Sequence, residues 1–364
     1  MPERLHTSDA DYYALGHQPP VRPWWKRIPL IPTIGAAAAL VIVCGAATVW
    51  HNLQTDVPSV ARPENESSVS QSGAPKSTGA RLRITNGCKK DSLWLANFAF
   101  QAPVFKQDIE LPAGETHEFD IPAKGLAATR FWAKWGCNKA TGGDCVIGQS
   151  GGPGESCDAK LGCAPPVDSK FEATFGCTLS DTSQCATNPS SPDPSKPDPL
   201  GPIDWWDVSQ VDGWTLPYKV VVKGDCPAAP KVIDCSHLSL DSCPDKEDLG
   251  LKDGPTSLKL LGAQDSGTTV GCYSPCAKLT YQQWGQGYSF TPESKQAQDF
   301  CCPTPPITPE ACSAGPVSRT KFVEAVHELC PDVYAYAYDD GIGLAQCPAG
   351  TQYDVTFYCP AGAA

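Results

Sequence analysis

Residues 81–88 read Arg81-Leu82-Arg83-Ile84-Thr85-Asn86-Gly87-Cys88, with apolar and polar side chains alternating through the first five, as a strand with one face on a core requires. The same alternation returns in His117-Glu118-Phe119-Asp120-Ile121. Working outward, further strand-like runs are expected at Ser92 to Phe98, Thr116 to Ile121, Thr129 to Trp135, Tyr218 to Val222 and Tyr353 to Tyr358, with glycine-containing turns between them. The first and last runs each end beside a cysteine, Cys88 and Cys359, so the two termini of the domain are expected to be tied together. One segment has another period. Phe322, Val323, Val326 and Leu329 recur at helical spacing after Ser318, an acceptable N-cap, and stop before Cys330-Pro331. A single amphipathic helix on the disulfide-rich half is the expectation.

Composition supports a mostly β reading. The 364 residues include 32 glycines and 36 prolines while 41% are hydrophobic, which favours turn-rich β structure over a helical bundle. A net charge of −12 repels phosphate backbones, and no cluster of Lys or Arg interleaved with aromatics offsets it, so nucleic acid is not an expected partner. Of 19 cysteines, Cys44 lies in an apolar run and the other 18 follow residue 87, an even number that points to oxidised pairs outside a reducing cytosol. No C-x-x-C pair and no H-E-x-x-H occurs, so neither a metal nor a cofactor is expected, and the domain is expected to be a monomer.

Ile28 to Trp50 is a run of 23 residues without a charge, long enough to cross a hydrocarbon core of about 30 Å at roughly 1.5 Å per residue. Arg22, Lys26 and Arg27 precede it, and Trp24, Trp25 and Trp50 sit at its ends. The expected organisation is a cytoplasmic tail at 1–27, a single-pass signal-anchor at 28–50, a Ser/Pro-rich stalk at 51–80 and an extracellular domain at 81–361. Secretion after cleavage near Gly45 to Ala47 is the alternative, opposed by the long polar lead and by a run longer than a signal peptide's apolar core. The stalk carries the glycosylation sequon Asn65-Glu66-Ser67. Residues 178–203 are rich in proline with Ser, Asp and Thr between, and read as an exposed loop or hinge whose start is bracketed by Cys177 and Cys185.

Four stretches resemble the thaumatin-like family of plant and fungal secreted proteins. Arg81 to Asn86 with Cys88 and Trp94 is similar to its opening strand, and Phe131-Trp132-Ala133-Lys134 before Cys137 to its "WART-x-C" segment. Trp205-Trp206-Asp207-Val208-Ser209-Gln210-Val211-Asp212-Gly213-Trp214-Thr215-Leu216-Pro217 resembles "FFDISLVDGFNLP", and Cys330-Pro331-Asp332-Val333-Tyr334-Ala335-Tyr336-Ala337-Tyr338-Asp339-Asp340 resembles "CPDAYSYPxDD". The resemblance spans residues 81–360 and, with the anchor, suggests a membrane-held member of fungal source. It implies a flattened β-sandwich beside a disulfide-rich second lobe that contains a short helix, with a groove between them. It also implies the pairs Cys88–Cys359, Cys137–Cys145, Cys157–Cys163, Cys226–Cys347, Cys235–Cys330, Cys243–Cys272, Cys276–Cys301 and Cys302–Cys312. Cys177 and Cys185 then remain for a ninth bridge.

Family members line the groove with one Arg, one Glu and three Asp. The resemblance carries the Glu onto Glu172, where the family has "TLAEF", and the Asp residues onto Asp207, Asp212 and Asp339. The Arg falls on Ala164 in Cys163-Ala164-Pro165-Pro166, so the cation that would hold nearby carboxylates ionised is absent or comes from elsewhere. The implied ligand is β-1,3-glucan or another wall polysaccharide, bound in cell-wall remodelling or defence, with or without weak endo-β-1,3-glucanase activity. In a hydrolase Glu172 would be the acid and Asp207 its nucleophile or base. The competing readings are a hydrolase-inhibiting or antifungal interaction module using the Pro-rich insertion, and a structural surface protein. Each residue also has a plainer role: Asp212-Gly213 is a turn dipeptide, Asp339 is placed to cap a loop, and Trp205, Trp206, Trp214, Tyr334, Tyr336 and Tyr338 are core formers as readily as sugar platforms. Gly148-Gln149-Ser150-Gly151-Gly152 fits G-x-S-x-G, but the glycines and Pro153 after it forbid the helix that a nucleophile elbow needs.

Overall fold

A computed structural model describes residues 79–361 apart from 101–104, 153–156, 159, 192, 194, 264–266 and 340–342. The expected tail, anchor, sequon at Asn65 and nearly all of the stalk lie outside the described residues. Among the described residues no helix is long and apolar enough to cross a membrane. Strands form at β1 (Leu82–Asn86), β2 (Leu93–Ala99), β3 (Ile109–Leu111), β4 (Thr116–Phe119), β5 (Leu126–Trp135), β6 (Lys170–Phe175) and β7 (Ile203–Ser209). They continue with β8 (Gly213–Trp214), β9 (Tyr218–Lys223), β10 (Val232–Cys235), β11 (Lys259–Leu261), β12 (Thr269–Tyr273), β13 (Ala345–Pro348) and β14 (Gln352–Phe357). The helices are short: α1 (Pro275–Thr280), α2 (Gln298–Cys301), α3 (Pro309–Ser313) and α4 (Lys321–Leu329).

Two sheets face each other. One has the order β10-β9-β14-β1-β4 and the other β13-β7-β6-β5-β2-β3, while β11-β12-β8 forms a small third sheet. The opening strand behaves as its alternation requires: Leu82 and Ile84 are fully buried, Arg83 and Thr85 are not, and β1 runs parallel to β14 with Leu82 opposite Tyr353. Between the sheets, Phe171 meets Trp206 at 6.0 Å and Tyr353 at 5.4 Å, and Phe119 meets Phe131 edge-on at 4.8 Å. The core also holds a polar strut. Arg81 pairs with buried Asp204, which accepts further bonds from Gly176 N at 2.7 Å and Tyr353 Oη at 3.1 Å. Burial pushes the Asp204 carboxyl up to about 6, against the pull of Arg81.

The second lobe lies between β10 and β13 and is held by cystines more than by regular structure. Cys243–Cys272, Cys276–Cys301 and Cys302–Cys312 staple it internally, and Cys235–Cys330 ties its last helix to β10, while Cys226–Cys347 links the β9–β10 loop to β13 within the sandwich. The remaining bridges are Cys88–Cys359, Cys137–Cys145, Cys157–Cys163 and Cys177–Cys185, so all nine expected pairs are present.

Two expectations change and one is narrowed. The helix at Phe322 to Leu329 is capped by Thr320, whose hydroxyl accepts from Val323 N, whereas Ser318 lies in a preceding 3-10 turn and donates to Gly315 O. That helix is one of four short ones rather than alone; its apolar stripe sets Phe322 against Trp214 at 4.9 Å. The 178–203 segment takes the exposed-loop alternative: its described residues before β7 are mostly exposed, and it is anchored to the sandwich at a few points. Thr178 N bonds Ala123 O, Ala186 N bonds Lys124 O, Leu200 N bonds Ala186 O, and Leu200 packs with Ala127, Ala128 and Cys177. Its last residue, Ile203, already belongs to β7.

Cys88–Cys359 closes a separation of 271 residues beside the parallel β1/β14 pair. Replacing both cysteines by serine is expected to lower stability by about 2–5 kcal/mol, measured by urea unfolding under non-reducing conditions. A change within error would mean that the strand pair holds the domain's ends without the bridge.

Candidate functional site

Strands β5, β6 and β7 are neighbours, and each alternates an apolar inner face with a charged outer one. Phe131, Phe171, Ala173, Trp206 and Val208 point to the core; Arg130, Lys170, Glu172 and Asp207 take the intervening positions. Register then aligns the charges. Phe98, Arg130, Glu172 and Asp207 are successive cross-strand partners, one row across four strands. Arg130 Nε lies 3.5 Å from Glu172 Oε1, and the guanidinium stands 5.6 Å from the Phe98 ring centroid. The cation beside the acids therefore comes from β5, while Ala164 is buried, its backbone N–H bonded to Gln149 O.

The next row down begins at Lys170, opposite Ser209 on β7 and Trp132 on β5. Lys170 Nζ pairs with Asp212, whose other oxygen accepts from Tyr281 Oη at 2.6 Å, just past α1 of the second lobe. Asp212 thus bridges sandwich and lobe. Its neighbour Gly213 has φ 143, and a Cβ there would lie 2.0 Å from Cys272 O, so only glycine lets β8 approach β12 this closely. Deeper still, Asp168 accepts from Ser150 Oγ. Burial drives the Asp168 carboxyl up to about 6, with the Ser150 bond and the nearby Lys170 and Arg130 opposing the shift. Ser150 is hence tied to the Asp168 carboxyl, and the described residues just after it, 151 and 152, are not helical.

Of the sequence-derived acids, Glu172 and Asp207 are brought together directly, and Asp212 is tied through Lys170 to the adjoining row. Asp339 serves otherwise: it receives His327 Nε2 at 2.8 Å and Ala335 N at 3.0 Å, bracing its own loop against α4. Among the aromatics, Trp206 and Trp214 are fully buried and Tyr334 and Tyr336 nearly so, whereas Trp205 is 43% exposed. Arg130, Lys170 and Asp168 are functional neighbours that the sequence reading passed over. For Asp168 and Lys170 the signal was present in Asp168-Ser169-Lys170-Phe171-Glu172, where charges take every second position into β6; Arg130 had no comparable local signal.

The row sets one guanidinium and two carboxylates side by side on one sheet face, with Glu172 buried and Arg130 and Asp207 partly so. Such a surface accepts and donates hydrogen bonds to a hydroxyl-rich neutral ligand and disfavours an anionic one.

Asp168 supplies a pH test. Its folded value near 6 exceeds its ordinary 3.8, so the folded state binds the extra proton between those values and its stability falls as pH rises through that window. Asp168→Asn removes the titration. From pH 4 to pH 7 the variant is expected to gain on the wild type by up to about 3 kcal/mol in urea unfolding. A pH-independent difference would refute the assignment.

The Thaumatin family model matches residues 86–360. Thaumatin-like protein 2 of Prunus persica is 27% identical over 288 residues, covering 77% of this chain and 90% of its own length. A glucan endo-1,3-beta-glucosidase of Prunus avium is 32% identical over 261 residues, covering 69% of this chain and 78% of its own. Among solved structures, the thaumatin-like xylanase inhibitor TLXI overlaps 77% of this chain and 100% of its own at 14% identity and a TM-score of 0.28, a likeness that adds nothing to the family match.

Proposed function

This chain belongs to the thaumatin family, and from that premise we propose that its acidic cleft binds a neutral wall polysaccharide of the β-1,3-glucan class. The observation that carries the reading is the row Arg130, Glu172, Asp207, in which cross-strand pairing sets two carboxylates and a guanidinium side by side on one sheet face. Carboxylates accept from sugar hydroxyls and the guanidinium donates to ring or hydroxyl oxygens, so every polar group of the row has a use. A relative named a glucan endo-1,3-beta-glucosidase supports the substrate class.

Binding is favoured over turnover. Glycoside hydrolysis needs one carboxyl to deliver a proton to the leaving oxygen. Glu172 is already half of an ion pair with Arg130. With the apolar run at 28–50 as an anchor and the cystines formed outside the cytosol, the domain would meet such a polymer at the cell surface.

Sedimentation with insoluble β-1,3-glucan is expected to capture the wild type, and Glu172→Gln and Asp207→Asn each to weaken capture roughly tenfold, the scale of one charge-assisted hydrogen bond. Reducing-sugar assays on the same samples should register little release. Rapid release by the wild type, lost in both variants, would replace the binding reading with a glycosidase; no capture across a panel of wall polysaccharides would end both.

The topology has its own check. In cells, externally added protease should reach the domain while the chain stays in the membrane pellet through alkaline extraction; recovery in the soluble fraction would mean cleavage near residues 45–47.

A further inference from the structure

Three tryptophans lie within the ten residues from Trp205 to Trp214, and the fold treats them differently. Trp206 and Trp214 are fully enclosed, whereas Trp205 is 43% exposed between Asp204 and Trp206, both at 0%. Alternation along β7 puts Trp205 on the same face as Asp207, two residues away and so about 6.6 Å along the strand. Its cross-strand neighbours are Thr174 on β6 and Gln346 on β13, one small and one exposed, neither bulky enough to roof the indole. Beyond it on the same face stands Ile203, also 41% exposed.

An exposed indole beside polar groups is the form in which tryptophan recognises a ligand with one apolar face and a polar edge. A β-linked pyranose has that form, since its axial C–H bonds make an apolar face and its equatorial hydroxyls ring the edge. We infer that Trp205 is the platform of a sugar subsite adjoining the carboxylate pair, with Thr174 and Gln346 at the edge of the stacked ring. The two-residue step along β7 is about the span of one pyranose, so a ring on Trp205 sets the next ring of the chain over Glu172 and Asp207. Chain direction across the sheet face is thereby fixed, running along β7. Affinity should depend on oligomer length, rising when the ligand first reaches from the acids to the indole. This subsite rests on the glucan-binding reading above, and the test separates the two.

Calorimetric titration of the full chain, held in a detergent without a sugar headgroup, would use β-1,3-linked glucose oligomers of increasing length. Trp205→Ala is expected to lose about tenfold in affinity for the longer oligomers and to flatten the length dependence, while Trp205→Phe recovers most of both. Glu172→Gln should weaken binding at every length. If Trp205→Ala binds all oligomers as the wild type does while Glu172→Gln binds weakly, the platform is wrong and the cleft stands. Should the wild type bind none of them, both readings fall.

Discussion

The antiparallel register of β5, β6 and β7 is the constraint on which the site depends. Side chains on adjacent strands meet only when their positions are in register, and a slip of one residue would turn Arg130, Glu172 and Asp207 inward and Phe131, Phe171 and Trp206 outward. Here the inner face admits no slip, because Phe131, Phe171 and Trp206 are among the most deeply buried side chains of the sandwich. The hydrophobic core thus fixes the charged row on the opposite face. Packing on one side of the sheet sets the chemistry on the other.

The second lobe completes the arrangement from a different physical basis. Its helices are too short to be stable alone, and its segments are held by cystines at Cys243, Cys276 and Cys302 and by Cys235–Cys330, which reaches the sandwich. That rigidity is what lets Tyr281 hold Asp212 from the lobe while Lys170 holds it from the sandwich. A buried carboxylate with an ion-pair partner and a phenol donor has its desolvation offset, and losing either partner would leave charge uncompensated. Asp212 consequently serves the joint between the lobes, and Glu172 and Asp207 stand paired across β6 and β7.

Local pattern made the strands legible where burial is one-sided, as at 81–86 and 117–121. It fell short at the start of β5, where Ala127 and Ala128 interrupt the alternation and Ala128 takes φ 48 at a break in the ladder. It also placed the cap of α4 two residues early, since Ser318 and Thr320 are chemically alike and only the path of the first turn distinguishes them. The cystine pairs and the acids came from family motifs and not from spacing. The partners of those acids were out of reach for a clear reason: Arg130 meets Glu172, Lys170 meets Asp212 and His327 meets Asp339 through strand order and loop path, which no short window of sequence encodes.

The bridge from Cys88 to Cys359 has a mechanical meaning. Force applied between residue 80 and residue 360 would travel through the few residues ahead of Cys88, cross one sulfur–sulfur bond and leave, with the β1/β14 and β1/β4 seams in shear. The covalent path through the polypeptide enclosed by that bond would be bypassed. A domain wired in this way keeps the spacing of Arg130, Glu172 and Asp207 while tugged, because those residues lie within the bypassed loop.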